Sequence, residues 1–252
     1  MNKQFAASVL AMVCVALAAA PAAAGDEPIA FGGWLDASLG GRYFNVADLN
    51  HYTKPAGIEA QSPLWPTAGI QASGLIFEKL FFSFGVGGSQ DREKGDHGVD
   101  MTLVSRYGEL DVGWAVVNGR AGLAYPFVGL GGAQTDLQFT GAVQRLGFDA
   151  SSNGATASRS VAYATVGFTY FYPVRFGQNE DGDLGMFLPG ISVGANFEAE
   201  GQGWIQGSQT LRGGPTLSYN SIFLRIEIGF GGGTTGKSAA PPPPPSPPAS
   251  AP

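Results

Sequence analysis

From Ser221 to Phe230 the chain alternates without a break. Ile222, Leu224, Ile226, Ile228 and Phe230 share one parity, and Ser221, Phe223, Arg225, Glu227 and Gly229 share the other. Successive side chains of a β-strand point to opposite faces, so this pattern predicts a strand with one apolar face. Alternation of the same kind runs through residues 35–43, 67–77, 80–88, 109–116, 162–170 and 191–198, with a weaker eighth candidate at 120–133.

A soluble β-sandwich would alternate as well, so the decision rests on the polar face. There the residues are mostly Gly, Ser, Ala and Thr, where a solvated face would carry many Lys, Glu and Thr. Charged residues make up only 13% of the chain and glycines number 39, a low and a high share respectively for a soluble domain. Small inward side chains suit a narrow eight-stranded barrel, and an apolar outward face ending in aromatics suits lipid.

The chain ends fit the same picture. Lys3 followed by the apolar run 5–20, Pro21 and the small residues Ala22, Ala23 and Ala24 reads as an export signal, with the mature chain expected to start near Gly25. After it, no stretch of 18 or more apolar residues occurs, so any membrane span must be β. Cys14 is the only cysteine and lies inside the signal, which excludes disulfide and thiolate chemistry in the mature protein. Acidic residues outnumber basic ones, 20 to 14, which argues against nucleic acid as a partner.

Connection lengths give an orientation. A long loop at 45–66, a turn at Glu78-Lys79, a loop at 89–98, a hairpin turn at Asn118-Gly119, a long loop at 134–160, a stretch at 173–187 and a loop at 200–219 separate the strands. Long extracellular loops and short periplasmic turns alternate in outer-membrane barrels, and only 173–187 departs from that rhythm. Strands two, four, six and eight then descend and close on Phe77, Trp114, Tyr170 with Tyr172, and Phe230, the pattern of an interfacial girdle.

Residues 222–230 look like the terminal strand signal read by the barrel assembly machinery, carried by Ile222, Leu224, Ile226, Ile228 and Phe230. The Gly-alternating run Tyr125-Pro126-Phe127-Val128-Gly129-Leu130-Gly131 is common in the same proteins. On these segments the chain resembles the small outer-membrane barrels of the OmpA, OmpX and OmpW type over residues 25–230. The resemblance implies an all-β, eight-stranded antiparallel up-and-down transmembrane barrel in the cell outer membrane, and it carries over no functional residue. The usual signal ends the chain, whereas here residues 231–252 follow. Pro126 also removes a ladder donor inside the fifth strand.

Other motifs weaken on inspection. Gly231 to Ser238 matches the phosphate-loop pattern literally, but Pro241 to Pro245 cannot continue the helix that would aim amides at phosphate. A Gly/Thr hinge and an extended, disordered Pro-rich tail are expected instead, open to a cell-wall or periplasmic partner. Asn179, Asp181 and Asp183 resemble a calcium loop whose Gly182 falls one residue early and which ends on Gly190 where a Glu is needed. His51, with Asp48 or Ser62, and His97 fall in outer loops, where spacing alone does not make a catalytic site.

More informative are the inward charges Asp36, Arg42, Glu109, Asp111, Glu198, Arg225 and Glu227. Charges of both signs in a narrow lumen are expected to pair and plug it, with Asp36 to Arg225 or Arg42 to Glu227 as the closing pairs between strands one and eight. The reading is a structural or interaction protein with no cofactor and no metal. A narrow channel and a lipid-modifying enzyme are the alternatives.

Overall fold

The computed structural model describes residues 27–95, 98–119, 121–141, 154–177, 179, 182–211 and 214–236. The export signal, the Pro-rich tail, Arg120, His97 and Asp181 lie outside them. Eight long strands carry the fold: β1 (Ile29–Phe44), β2 (Leu64–Ile76), β3 (Leu80–Lys94), β4 (Asp100–Trp114), β5 (Gly122–Thr140), β6 (Ala155–Phe171), β7 (Asp183–Gly201) and β8 (Ser221–Thr235). Each pairs antiparallel with the next, and β8 returns to β1 from Phe44↔Ser221 down to Ile29↔Thr235. The expected eight-stranded up-and-down barrel is the fold observed.

The faces divide as the alternation demands. Leu35 and Leu39 on β1, Leu110 on β4, Leu130 on β5 and Ile226 on β8 are each more than 60% exposed. Inward neighbours such as Asp36, Ser38, Ser192 and Glu227 are buried. Phe77, Trp114, Tyr172, Phe176 and Phe230 ring the lower end, where both ends of the described chain also lie. Lys79 stands over the Trp114 ring at 5.9 Å.

Three sequence expectations are corrected. The strands run well past the expected loops, since residues 89–94, 134–140 and 155–160 are ladder, and the segment at 173–187 shortens because Val174–Phe176 pairs back onto β7. The turn placed at Glu78-Lys79 sits one residue earlier, with positive φ at Phe77 and Glu78 and Lys79 N–H bonded to Ile76 C=O. Asn118-Gly119 is ladder rather than turn, because Gly119 pairs with Gly122 and the chain reverses between them. The Asn118 side chain instead crosses the barrel floor, where Oδ1 accepts from Ile29 N–H at 3.0 Å and Nδ2 donates to the carbonyls of Ile29 and Glu78. Pro126 lies where the β4 ladder has ended, since Gly113↔Phe127 is its last rung, so its missing donor breaks no β4 pair.

The interior is also more aromatic than the small-residue reading expected. Tyr107, Phe127, Tyr163, Phe171 and Phe223 point inward, and each stands directly opposite a glycine on the neighbouring strand: Gly87, Gly167, Gly131, Gly190 and Gly194. A β-carbon at any of those glycines would overlap the ring. The glycines are thus the floor on which rings lie flat, a cross-strand pairing that lets large side chains fill a narrow bore. Gly167→Ala should therefore destabilise the barrel by about 1 to 3 kcal/mol through overpacking against Phe127. Urea unfolding in detergent followed by gel mobility measures it, and an unchanged midpoint would show that Phe127 moves aside freely.

Candidate functional site

Inward side chains form three layers. At the extracellular end an apolar cluster gathers Phe44, Trp65, Leu137, Trp204, Leu217 and Tyr219. Two loops complete it. The loop after β1 holds α1 (Ala47–Thr53), which buries Leu49 and Thr53, and Asn50 brackets Gln61 by accepting its N–H at 2.7 Å and donating to its carbonyl at 3.1 Å. The loop after β7 inserts Trp204, whose Nε1 donates to Pro215 C=O at 2.6 Å, and its short hairpin joins β6 at Ser158. At the periplasmic end Ile29, Trp34, Phe81, Tyr125, Phe171 and Leu188 form a second cluster, with Phe81 and Tyr125 stacked at 3.8 Å.

Between the two clusters lies a charged layer. Asp36, Arg42, Glu109, Asp111, Arg225 and Glu227 are all at most 4% exposed. Glu109 is its hub. From β4 its Oε1 takes Arg225 Nη1 of β8 at 2.6 Å, and its Oε2 faces Arg42 Nη2 of β1 at 3.8 Å and accepts from Tyr163 O–H at 3.3 Å. Arg42 also bonds Tyr219 and lies over the Tyr107 ring at 3.9 Å, while Arg225 lies over Phe223 at 4.2 Å. Two cations desolvated together are tolerable only with such partners. Asp36 accepts from Ser73 and Asp111 from Ser83, both at 3.1 Å.

The closing pairs differ from those expected. Register sets Gly40 opposite Arg225, Ser38 opposite Glu227 and Gly229 opposite Asp36, and no ion pair joins Asp36 to Arg225 or Arg42 to Glu227 among the described residues. Both arginines instead reach across the bore to Glu109. Glu198 stands apart at the extracellular rim, where it pairs with Arg159 and accepts Tyr219 N–H at 2.7 Å. At the upper end of β3, burial together with Asp91 and Glu59 holds the Glu93 carboxyl above its ordinary range. Ile222, Leu224, Ile226, Ile228 and Phe230 line the outer face of β8, and the strand continues past Phe230 along β1 and β7 through Gly231 to Thr234.

His51 is exposed on α1, and no hydrogen bond joins it to Asp48 or Ser62, whose hydroxyl is engaged with Leu64. Asn179 caps its own turn by accepting Asp183 N–H at 2.8 Å. No group of three or more His, Cys, Asp or Glu side chains among the described residues is placed to hold a metal ion.

A closed ring of strands satisfies every ladder internally, and one with an apolar exterior and an aromatic girdle is a membrane-spanning barrel of the outer-membrane class. Among solved structures, the chain is similar to the attachment invasion locus protein Ail of Yersinia pestis, at 6% identity over 82% of this chain and 99% of that one, with a TM-score of 0.40. It is similar to a major outer membrane protein of Thermus thermophilus, at 11% identity over 80% and 99% with a TM-score of 0.41, and to Neisserial surface protein A, at 11% over 80% and 95% with a TM-score of 0.35. No family model and no curated protein matches the sequence.

Proposed function

We propose that the protein is an outer-membrane anchor whose sealed barrel displays an extracellular surface, with a structural or interaction role rather than transport or catalysis. The observation that supports this reading is the layering of the bore, in which two apolar clusters, acting as plugs, enclose a layer of buried charge. Ion passage along the axis would require dewetted apolar constrictions at both ends to open. Above the lipid belt, β3 to β6 rise as a wall whose outward face is polar, with Gln90, Arg106, Gln134 and Ser160 exposed, and α1 and the Trp204 loop pack against its inner side. A rigid wall with structured loops is a surface suited to partner contact.

Planar-bilayer recording tests the reading. The purified, folded barrel should give no discrete conductance steps, and removing Trp204 from the upper plug by Trp204→Ala should still leave it silent, because the lower plug remains. Regular single-channel openings of the unmodified protein would replace the anchor with a channel.

A further inference from the structure

The inward charges do not balance. Asp36, Glu109, Asp111 and Glu227 face only Arg42 and Arg225, and both arginines close on Glu109. Asp36, Asp111 and Glu227 are left without an ion-pair partner among the described residues. One oxygen of each, Asp36 Oδ1, Asp111 Oδ1 and Glu227 Oε2, is buried with no hydrogen-bond partner. A carboxylate shut away from water with half its acceptor capacity unmet is a heavy liability for a fold, and such a group either takes up a proton or gains a counter-charge.

Two of these carboxylates face one space. Asp111 and Glu227 line a gap together with Tyr125, Thr169 and Ser192. The Tyr125 hydroxyl is buried without a partner, and the Thr169 and Ser192 hydroxyls bond each other, which leaves acceptor lone pairs on both. Arg225 also borders the gap, but its guanidinium is held on Glu109 at 2.6 Å and flat on Phe223. The gap is too narrow to seat a water molecule, so a bridging water does not relieve the carboxylates. A dehydrated hard monovalent cation is smaller than water and takes oxygen ligands of this kind. No group of three acidic, His or Cys side chains among the described residues is placed to hold a metal ion, so a cation here would rest on two carboxylates and neutral oxygens.

We propose that the charged layer binds a sodium-class monovalent cation, with Asp111 and Glu227 supplying charge and Tyr125, Thr169 and Ser192 supplying neutral oxygens. The plugs above and below mean that the ion is taken up as the barrel folds and is released when it unfolds. Folding is then linked to the ion concentration.

The test follows reversible urea unfolding of the full barrel in detergent. Sodium chloride is raised from about 0.05 to about 0.5 M while choline chloride holds ionic strength constant, and the folding equilibrium constant should rise toward tenfold at the highest sodium. Choline is too large for the gap and serves as the inert cation. Asp111→Asn and Glu227→Gln keep the side-chain shapes and should each flatten the sodium response, whereas Glu198→Gln at the rim should keep it. Equal stability of the unmodified protein in sodium and choline overturns the proposal whether or not the variants fold. The inference rests on the closed bore of the proposed anchor. An ion-conducting barrel would fail the bilayer test while leaving the sodium response to be read separately.

Discussion

Glu109→Ala is expected to cost about 3 to 5 kcal/mol of folding stability, because it strands two buried guanidinium groups at once. Arg42 and Arg225 enter the bore from β1 and β8, the strands whose pairing closes the barrel, and Glu109 on β4 receives both. Their remaining contacts are rings and a phenol, which soften the desolvation of a cation without replacing its counter-charge. A double-mutant cycle on Glu109→Gln and Arg225→Met separates the pair from simple loss of volume. The double variant should be more stable than the two single costs predict, since the lone buried charge of each single variant is gone. The parallel cycle on Asp36→Asn and Arg225→Met should show a smaller coupling, in keeping with Asp36 taking Ser73 as its partner. Additivity of the Glu109 cycle within about 0.5 kcal/mol would mean that the hub does not hold the closing strands.

The positions and facing of the strands were legible because lipid imposes the same parity on every strand that crosses it. Their upper ends were not, for a specific reason. In the belt the apolar side chains point outward, as with Leu110 and Val112 on β4. Above it the phase inverts, and Met101 and Leu103 are buried inside while Thr102 and Arg106 face out. Phe139 and Leu137 on β5 invert in the same way against Gln138 and Gln134. A rule that seeks one continuous apolar face stops at the inversion, and so residues 89–94 and 134–140 read as loop. The inversion itself is a sequence signal, since alternation persists through it.

The charged layer was half legible. Parity alone places Asp36, Arg42, Glu109, Asp111, Arg225 and Glu227 inside, but it says nothing of which reach one another across the bore. Neighbouring strands suggested β1-to-β8 pairs, whereas a long guanidinium in a bore this narrow finds the opposite wall as readily as the adjacent one. The aromatic layers do not follow from the small-residue reading, although Trp34, Phe44, Phe81 and Phe223 occupy the inward parity. The clue is the abundance of glycine, which becomes intelligible once register sets Trp34, Phe81 and Phe223 opposite Gly231, Gly113 and Gly194.

Ile226→Arg should destabilise the barrel by about 2 to 4 kcal/mol when it is folded into lipid, and far less in a detergent that deforms around the charge. Ile226 lies opposite Leu39 on β1 and Ile191 on β7, so three outward aliphatic side chains meet on one rung. They are 64%, 69% and 47% exposed, which for a folded chain in water would be an aggregation surface and in a bilayer is the solvated state. The rung lies between the Phe230 girdle below and Tyr43 above, near the middle of the hydrocarbon, where a guanidinium must snorkel farthest. Tyr43→Arg, at the upper margin of the same strand pair, is the depth control and should cost about 1 kcal/mol or less. Equilibrium unfolding from large unilamellar vesicles reads both. Equal costs at the two depths would mean that the apolar belt does not sit in the bilayer as its exposure pattern requires.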